Sequence, residues 1–249
     1  MKTGIGILDL YDDDSLKECL KNIPDSCHLT VVSNRKNGYK DEKINSYIRV
    51  EDASLAHMRN LVLHDCRIQN LDYYFILHSD QILTDSNVFE NTINLSKKFG
   101  TWFLTGHVDD KTLDIEDDSG LTLKLSTKLN TKFLFTFKGI VKNNGFFDER
   151  YINSHDLDVI DYIIRLKQKK LYVSDGFYPT ISTEIKENKK TIENPYIQDY
   201  PSEELSVRHS YGYFMHKNHY IPNHSDPKPK SQDEVLSSVE FLQQNYAKK

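Results

Sequence analysis

Two short stretches of this 249-residue chain gather side chains able to hold a cation or move a proton. In LDYYFILHSDQILTD, residues 71–85, an apolar run from Tyr73 to Leu77 leads straight into His78, Ser79 and Asp80. A carboxylate at a strand tip can carry a hard divalent cation, Mn2+ or Mg2+, which keeps open positions for phosphate oxygens. The plainer alternative is a strand end meeting water. In GFFDERYINSHDLDV, residues 145–159, Gly145 permits a tight turn, Phe146 and Phe147 are apolar anchors, and Asp148 and Glu149 follow. His155, Asp156 and Asp158 then crowd the start of a helix. Carboxylates there suit the helix dipole, and one held beside a hydroxyl serves as a general base. A third group, His209, His216 and His219, reads either as ordinary surface or core histidines or as a cover over a bound diphosphate or metal.

The elements that position these groups follow from hydrophobic periodicity. GIGILDLY reads as a strand and DDSLKECLKNI as a helix with Leu16, Leu20 and Ile23 on one face. HLTVVS and SYIRV read as strands, and SLAHMRNLVLHDCRI as a helix with Leu55, Met58, Val62 and Cys66 in a stripe. DYYFIL is a strand, SNVFENTINLSKKFG a helix capped by Ser86 or Asn87 and stopped at Gly100, and TWFLTGHV a strand. Alternation of this kind predicts an α/β fold with a mainly parallel sheet covered on both faces, whose ligands bind beyond the carboxyl ends of the strands. The second half is less regular. DDKTLDIEDDSG reads as an acidic loop, LTLKLSTK and KFLFTFKGIV as strands with a short antiparallel portion, HDLDVIDYIIRLKQKK as a helix, and LYVSDGFYP as a closing strand. The expected organisation is one α/β domain over 1–180, with halves over 1–110 and 111–180. An irregular C-terminal extension over 181–249 then forms a lid segment, mobile until a ligand binds, and a tail helix.

Composition narrows the function classes. A net charge of −5 with interleaved signs argues against a nucleic-acid partner, which selects for a basic face. Cys19, Cys27 and Cys66 are odd in number and lack metal-type spacing, which indicates neither a disulfide framework nor a zinc knuckle. No stretch approaches the ~18 apolar residues of a membrane span, and the opening run is too short for a signal peptide and turns acidic at once. A cytoplasmic location is expected.

Four blocks in order resemble family 2-type glycosyltransferases of the GT-A fold. ILDLYDDDSLKECLKNI resembles the opening strand and helix, with Tyr11 on the family's Tyr and Asp12 on its Asn. MRN, Met58–Asn60, resembles the ARN of the helix flanking the nucleotide, ILHSDQ the DxD block, and GFFDERY…HDLD the G.FDE…EDxD block. The resemblance implies transfer of a sugar from a nucleotide-diphosphate donor to an acceptor hydroxyl, with inversion and dependence on Mn2+ or Mg2+. It makes 1–180 the catalytic domain, 1–110 its nucleotide-binding half and 111–180 its acceptor half. A UDP-sugar is the favoured donor and a GDP-sugar the alternative; a glycan or another hydroxyl compound is the acceptor. Asp156 takes the place of the base. Tyr11, Asn34, Arg59, His78, Ser79 and Asp80 take the nucleotide-sugar positions, Arg59 either contacting phosphate or supporting the nucleotide loop. Asp80 takes the metal, with His78, His216 and His219 as further candidate ligands. His78 and His155 stand where the family has acids, Ser33-Asn34 replaces an acidic pair, and Arg165 comes about a turn after the family's Arg. YFMHKNHY resembles the family's terminal segment and points to Lys217. Two other classes compete: a catalytically silent nucleotide-sugar or carbohydrate-binding module, and a nucleotidyltransferase. The latter selects for a Gly-rich basic first loop, the reverse of LYDDDS.

Overall fold

In a computed structural model, the structure describes residues 2–51, 53–106, 112–116, 122–126, 129–151, 157–168, 178–180 and 185–187, with Tyr213 and Lys217. The elements are β1 (Thr3–Asp9), α1 (Asp13–Leu20), β2 (His28–Ser33), β3 (Ser46–Arg49), α2 (Leu55–Ile68), β4 (Tyr73–His78), β5 (Gln81–Leu83) and α3 (Val88–Phe99). They continue with β6 (Phe103–Thr105), β7 (Thr112–Glu116), β8 (Thr122–Ser126), β9 (Phe133–Phe137), α4 (Lys138–Asn144), α5 (Leu157–Gln168), β10 (Tyr178–Thr180) and β11 (Ile185–Glu187).

Nine strands form one sheet in the order β3-β2-β1-β4-β9-β6-β10-β8-β7. Parallel pairing joins β3 to β2, β2 to β1, β1 to β4, and β6 to β10. β9 is inserted antiparallel between β4 and β6, so β3, β2, β1, β4, β6 and β10 all point one way. The far edge, β10-β8-β7, is antiparallel. The chain runs outward from β1 to β3 and then returns to place β4 on β1's other side, so the strand order reverses between β1 and β4. In open α/β sheets a ligand crevice lies at the carboxyl ends of such a pair.

Each face of the sheet buries one apolar layer, because alternate residues of a strand point to opposite sides. Ile5, Ile7, Phe75 and Leu77 pack with Leu16 and Cys19 of α1 and Phe89 and Ile93 of α3. Leu8, Tyr74 and Ile76 pack with Met58 and Val62 of α2, Ile140 of α4, and Tyr162 and Leu166 of α5. The helices begin where the sequence offers caps. Asp12 accepts the Ser15 N–H (2.7 Å) at the start of α1, and Ser54 accepts the His57 N–H (3.2 Å) at the start of α2. Gly100 ends α3 in the left-handed conformation at φ 66°. At Gly6 a Cβ would stand 2.0 Å from Val62 Cγ1, so glycine is what lets α2 lie directly on β1.

Three expectations are corrected. The acidic stretch around 109–120 contains a strand, β7, whose pairing with β8 runs from Thr112↔Ser126 to Glu116↔Thr122. KFLFTFKGIV is only half strand. β9 stops at Phe137 because its partner β4 begins at Tyr73, and the chain turns at once into α4. The first helix ends at Leu20, four residues before Pro24, although Ile23 is still buried. Most of the expected closing strand LYVSDGFYP lies outside the described residues. So does most of the lid segment and all of the tail helix. The described start of that segment, β11, pairs antiparallel with β5 directly after Asp80.

Candidate active site

β1, β2 and β4 end side by side, and their last residues meet in a polar cluster walled by the core. Asp9 is fully buried, and its Oδ2 accepts the Ser33 hydroxyl (2.8 Å) and Arg35 Nε (2.9 Å). Burial raises its pKa, against the hydrogen bond from Ser33 and the charge of Arg35. Arg35 also reaches Asp13 at the start of α1. Asp9 Oδ1 and Asn34 Oδ1 are both buried and have no partner. Tyr11 is half-buried against the α2 face of the sheet, and its carbonyl accepts Arg35 Nη1 at 3.5 Å.

The β4 tip is more tightly built. His78 is 5% exposed, with neither ring nitrogen partnered. Desolvation, with the positive charges of Arg59 and Lys132, drives its pKa well below the usual imidazole value, so the ring is neutral. Ser79 ties the two strands together, since its N–H donates to the Leu8 carbonyl (3.0 Å) and its Oγ accepts the Leu10 N–H (3.3 Å). Asp80, 6% exposed, accepts Gln81 Nε2 on Oδ1 (3.2 Å) and Lys132 Nζ on Oδ2 (2.8 Å). Lys132 precedes β9, whose antiparallel insertion carries it to the end of β4. Its carbonyl accepts the His78 N–H at 2.9 Å.

Arg59 supports this tip from behind. It is fully buried, pairs with Asp158 at the start of α5, and donates to the Thr131 carbonyl (3.4 Å). Its neighbour Asn60 accepts the Phe147 N–H (2.8 Å) and donates to the Phe147 carbonyl (2.9 Å) and to Glu149 (2.8 Å). The MRN and GFFDE blocks are thus one assembled unit. Asp148 gathers Tyr213 Oη and Lys217 Nζ, both at 2.8 Å, together with Arg150. Burial would lift the Asp148 carboxyl, yet these hydrogen bonds hold it far below its ordinary range. Lys217 also reaches Asp161 (2.8 Å), and Arg165 clamps the Asn144 and Phe146 carbonyls (2.8 Å each).

The structure therefore brings Asn34, His78, Ser79 and Asp80 to neighbouring strand ends, with Tyr11 just beyond β1 and Arg59 beneath. Asp156, the expected base, lies outside the described residues, one position before α5. His155, His209, His216 and His219 lie outside them too. Sequence reasoning missed Asp9, Arg35 and Lys132. Asp9 closes the first apolar run and could have been read as a strand-end acid. Nothing local marks Lys132, because only the β4–β9 pairing brings it to Asp80.

A hard divalent cation takes about six oxygen ligands. Asp80 is one carboxylate with both oxygens already accepting hydrogen bonds, and the described residues contain no group of three His, Cys, Asp or Glu side chains that could hold a metal. These residues do not by themselves make the cation site that the resemblance implies.

No protein-family model matches the chain, and no curated protein sequence matches it. Solved structures do. TarS 1-349 from S. aureus aligns over 99% of this chain and 81% of its own, at 10% identity and a TM-score of 0.51. Against the longer TarS structure, at 11% identity and a TM-score of 0.50, the chain spans 49% of that protein's length. The mannosyltransferase PcManGT from Pyrobaculum calidifontis, solved with GDP-Man and Mn2+, aligns over 98% of this chain and 70% of its own at 11% identity and a TM-score of 0.50. The fold is the GT-A glycosyltransferase fold. No helix among the described residues is long and apolar enough to cross a membrane.

Proposed function

We infer that this protein is a glycosyltransferase that moves a sugar from a nucleoside-diphosphate sugar to an acceptor hydroxyl by a single displacement with inversion. One observation carries the reading. At the β1–β4 switch point of a GT-A scaffold, Asp9 Oδ1, Asn34 Oδ1 and both nitrogens of His78 are buried without partners. Unpaired buried polar atoms are costly, about 1–3 kcal/mol each, and a bound polar ligand would supply what they lack.

The acceptor oxygen bonds to the anomeric carbon as the bond from that carbon to the diphosphate breaks. The electron pair of the broken bond leaves on the diphosphate oxygen, and the hydroxyl proton passes to a carboxylate, for which Asp156 is the candidate. Asn34 Oδ1 is an acceptor, which suits a base-edge N–H. Uracil offers one at N3 and guanine one at N1, so both bases meet it; the favoured donor is a UDP-sugar, as the resemblance implies, and a GDP-sugar is the alternative. Neutral His78 has one N–H to donate toward the nucleotide.

The test is a panel of nucleotide sugars, with and without Mn2+ or Mg2+, read by thermal shift and by nucleoside diphosphate release. A ligand at a hundredfold excess over its Kd stabilises by about 2.7 kcal/mol. Binding with release in the presence of an acceptor supports the enzyme. Binding without turnover over a broad acceptor set points to a nucleotide-sugar-binding module. No shift with any donor overturns both readings.

A further inference from the structure

We propose that Lys132 is the cation of this site: its ammonium, steered by Asp80, neutralises the departing diphosphate, so that donor binding and transfer need no added divalent metal. The proposal rests on the glycosyltransferase reading above and concerns how the same site handles charge.

Lys132 is a built feature. Asn130 Oδ1 accepts its N–H (3.0 Å), its carbonyl accepts the His78 N–H (2.9 Å), and the Asn130 carbonyl before it accepts the Gly106 N–H (3.2 Å). Backbone pinned on both sides thus delivers the side chain to the β4 tip, where Nζ sits 2.8 Å from Asp80 Oδ2 and the side chain is 31% exposed. The Asp80 side chain is 8% exposed, so solvent screens the pair weakly.

The rest of the tip agrees with a fixed positive charge there. The acid that the resemblance places at position 78 is absent, and a histidine stands there instead. A second carboxylate would help a metal, whereas Asp80 alone presents one carboxylate to the Lys132 ammonium. Lysine binds phosphate as a compact point charge. In the transfer step Lys132 exchanges no proton; it stabilises the negative charge that develops on the diphosphate oxygen as the glycosidic bond breaks.

The test uses the full chain dialysed against EDTA, with UDP and GDP as probes in calorimetry and nucleotide sugars in the release assay. Wild-type protein should bind the preferred diphosphate with a Kd within about threefold of its value in Mn2+, a difference under one kcal/mol. Lys132→Met should weaken binding roughly tenfold or more in EDTA, the scale of one lost charge-assisted hydrogen bond, and Lys132→Arg should restore most of it. Loss of wild-type binding in EDTA, regained with Mn2+, overturns the proposal and leaves the glycosyltransferase reading standing. Failure of every nucleoside diphosphate and nucleotide sugar to bind in either condition overturns that reading and this one with it. If circular dichroism shows Lys132→Met unfolded, the wild-type EDTA comparison and the Arg variant decide the matter.

Discussion

Arg59 of α2 and Asp158 of α5, 99 residues apart in the chain, form an ion pair with neither side chain exposed to solvent. The pair locks the helix that carries Asn60 to the helix that begins just after Asp156. Removing one partner of a buried pair strands the other charge and costs about 3–5 kcal/mol, whereas replacing both with apolar residues of similar volume is often neutral. Asp158→Ala should lose stability on that scale in chemical denaturation, and Arg59→Met combined with Asp158→Leu should recover most of it. A loss below about 1 kcal/mol in the single variant would contradict the pairing.

Asp156 and Asp158 should separate cleanly. If Asp156 is the base, Asp156→Asn lowers transfer by about 10²–10⁴-fold while donor affinity stays within a few-fold of wild type. Asp158→Asn should instead lower the melting temperature and leave the rate per folded molecule little changed. Unchanged transfer in the Asp156 variant, measured by diphosphate release with acceptor present, would put the base elsewhere.

Gly6 sets the distance between α2 and β1. Gly6→Ala drives a methyl group into Val62 and should cost about 1–3 kcal/mol through overpacking. Val62→Ala in the same chain removes the obstructing methyls. If the two losses merely add in denaturation midpoints, the steric account fails.

Asp148 links stability to acid. Its folded pKa is depressed by hydrogen bonds from Arg150, Lys217 and Tyr213, so its contribution is fully present above the ordinary carboxylate pKa. That contribution drains away as pH falls through the folded value. The melting-temperature gap between wild type and Asp148→Asn should be widest at neutral pH and narrow below about pH 4. A gap independent of pH would show that the charge of the Asp148 carboxylate does not contribute to stability.

The sequence displays what depends on short-range pattern. Alternating apolar periods marked β1, α1, β2, α2, β4 and α3, and the strand tip at Asp80 followed from the end of one such run. Long-range pairing is invisible to that pattern. Insertion of β9 between β4 and β6 is a topological fact, and it alone brings Lys132 to Asp80. Arg59 illustrates the same limit. The resemblance put it among the nucleotide-sugar positions, but its guanidinium is engaged by Asp158 and the Thr131 carbonyl, which spacing could not reveal.

β9 has a consequence for how the chain is made. Until it arrives, β4, with five of its six residues buried in the finished sheet, has one unpaired hydrogen-bonding edge. The roughly fifty residues between them take several seconds to synthesise at about 5–20 residues per second. Through that interval the nascent chain presents a long apolar strand as a template for any other strand. Chains truncated before Phe133 never close that edge, and they should be recovered as aggregates or strand-exchanged oligomers rather than as a soluble half-domain.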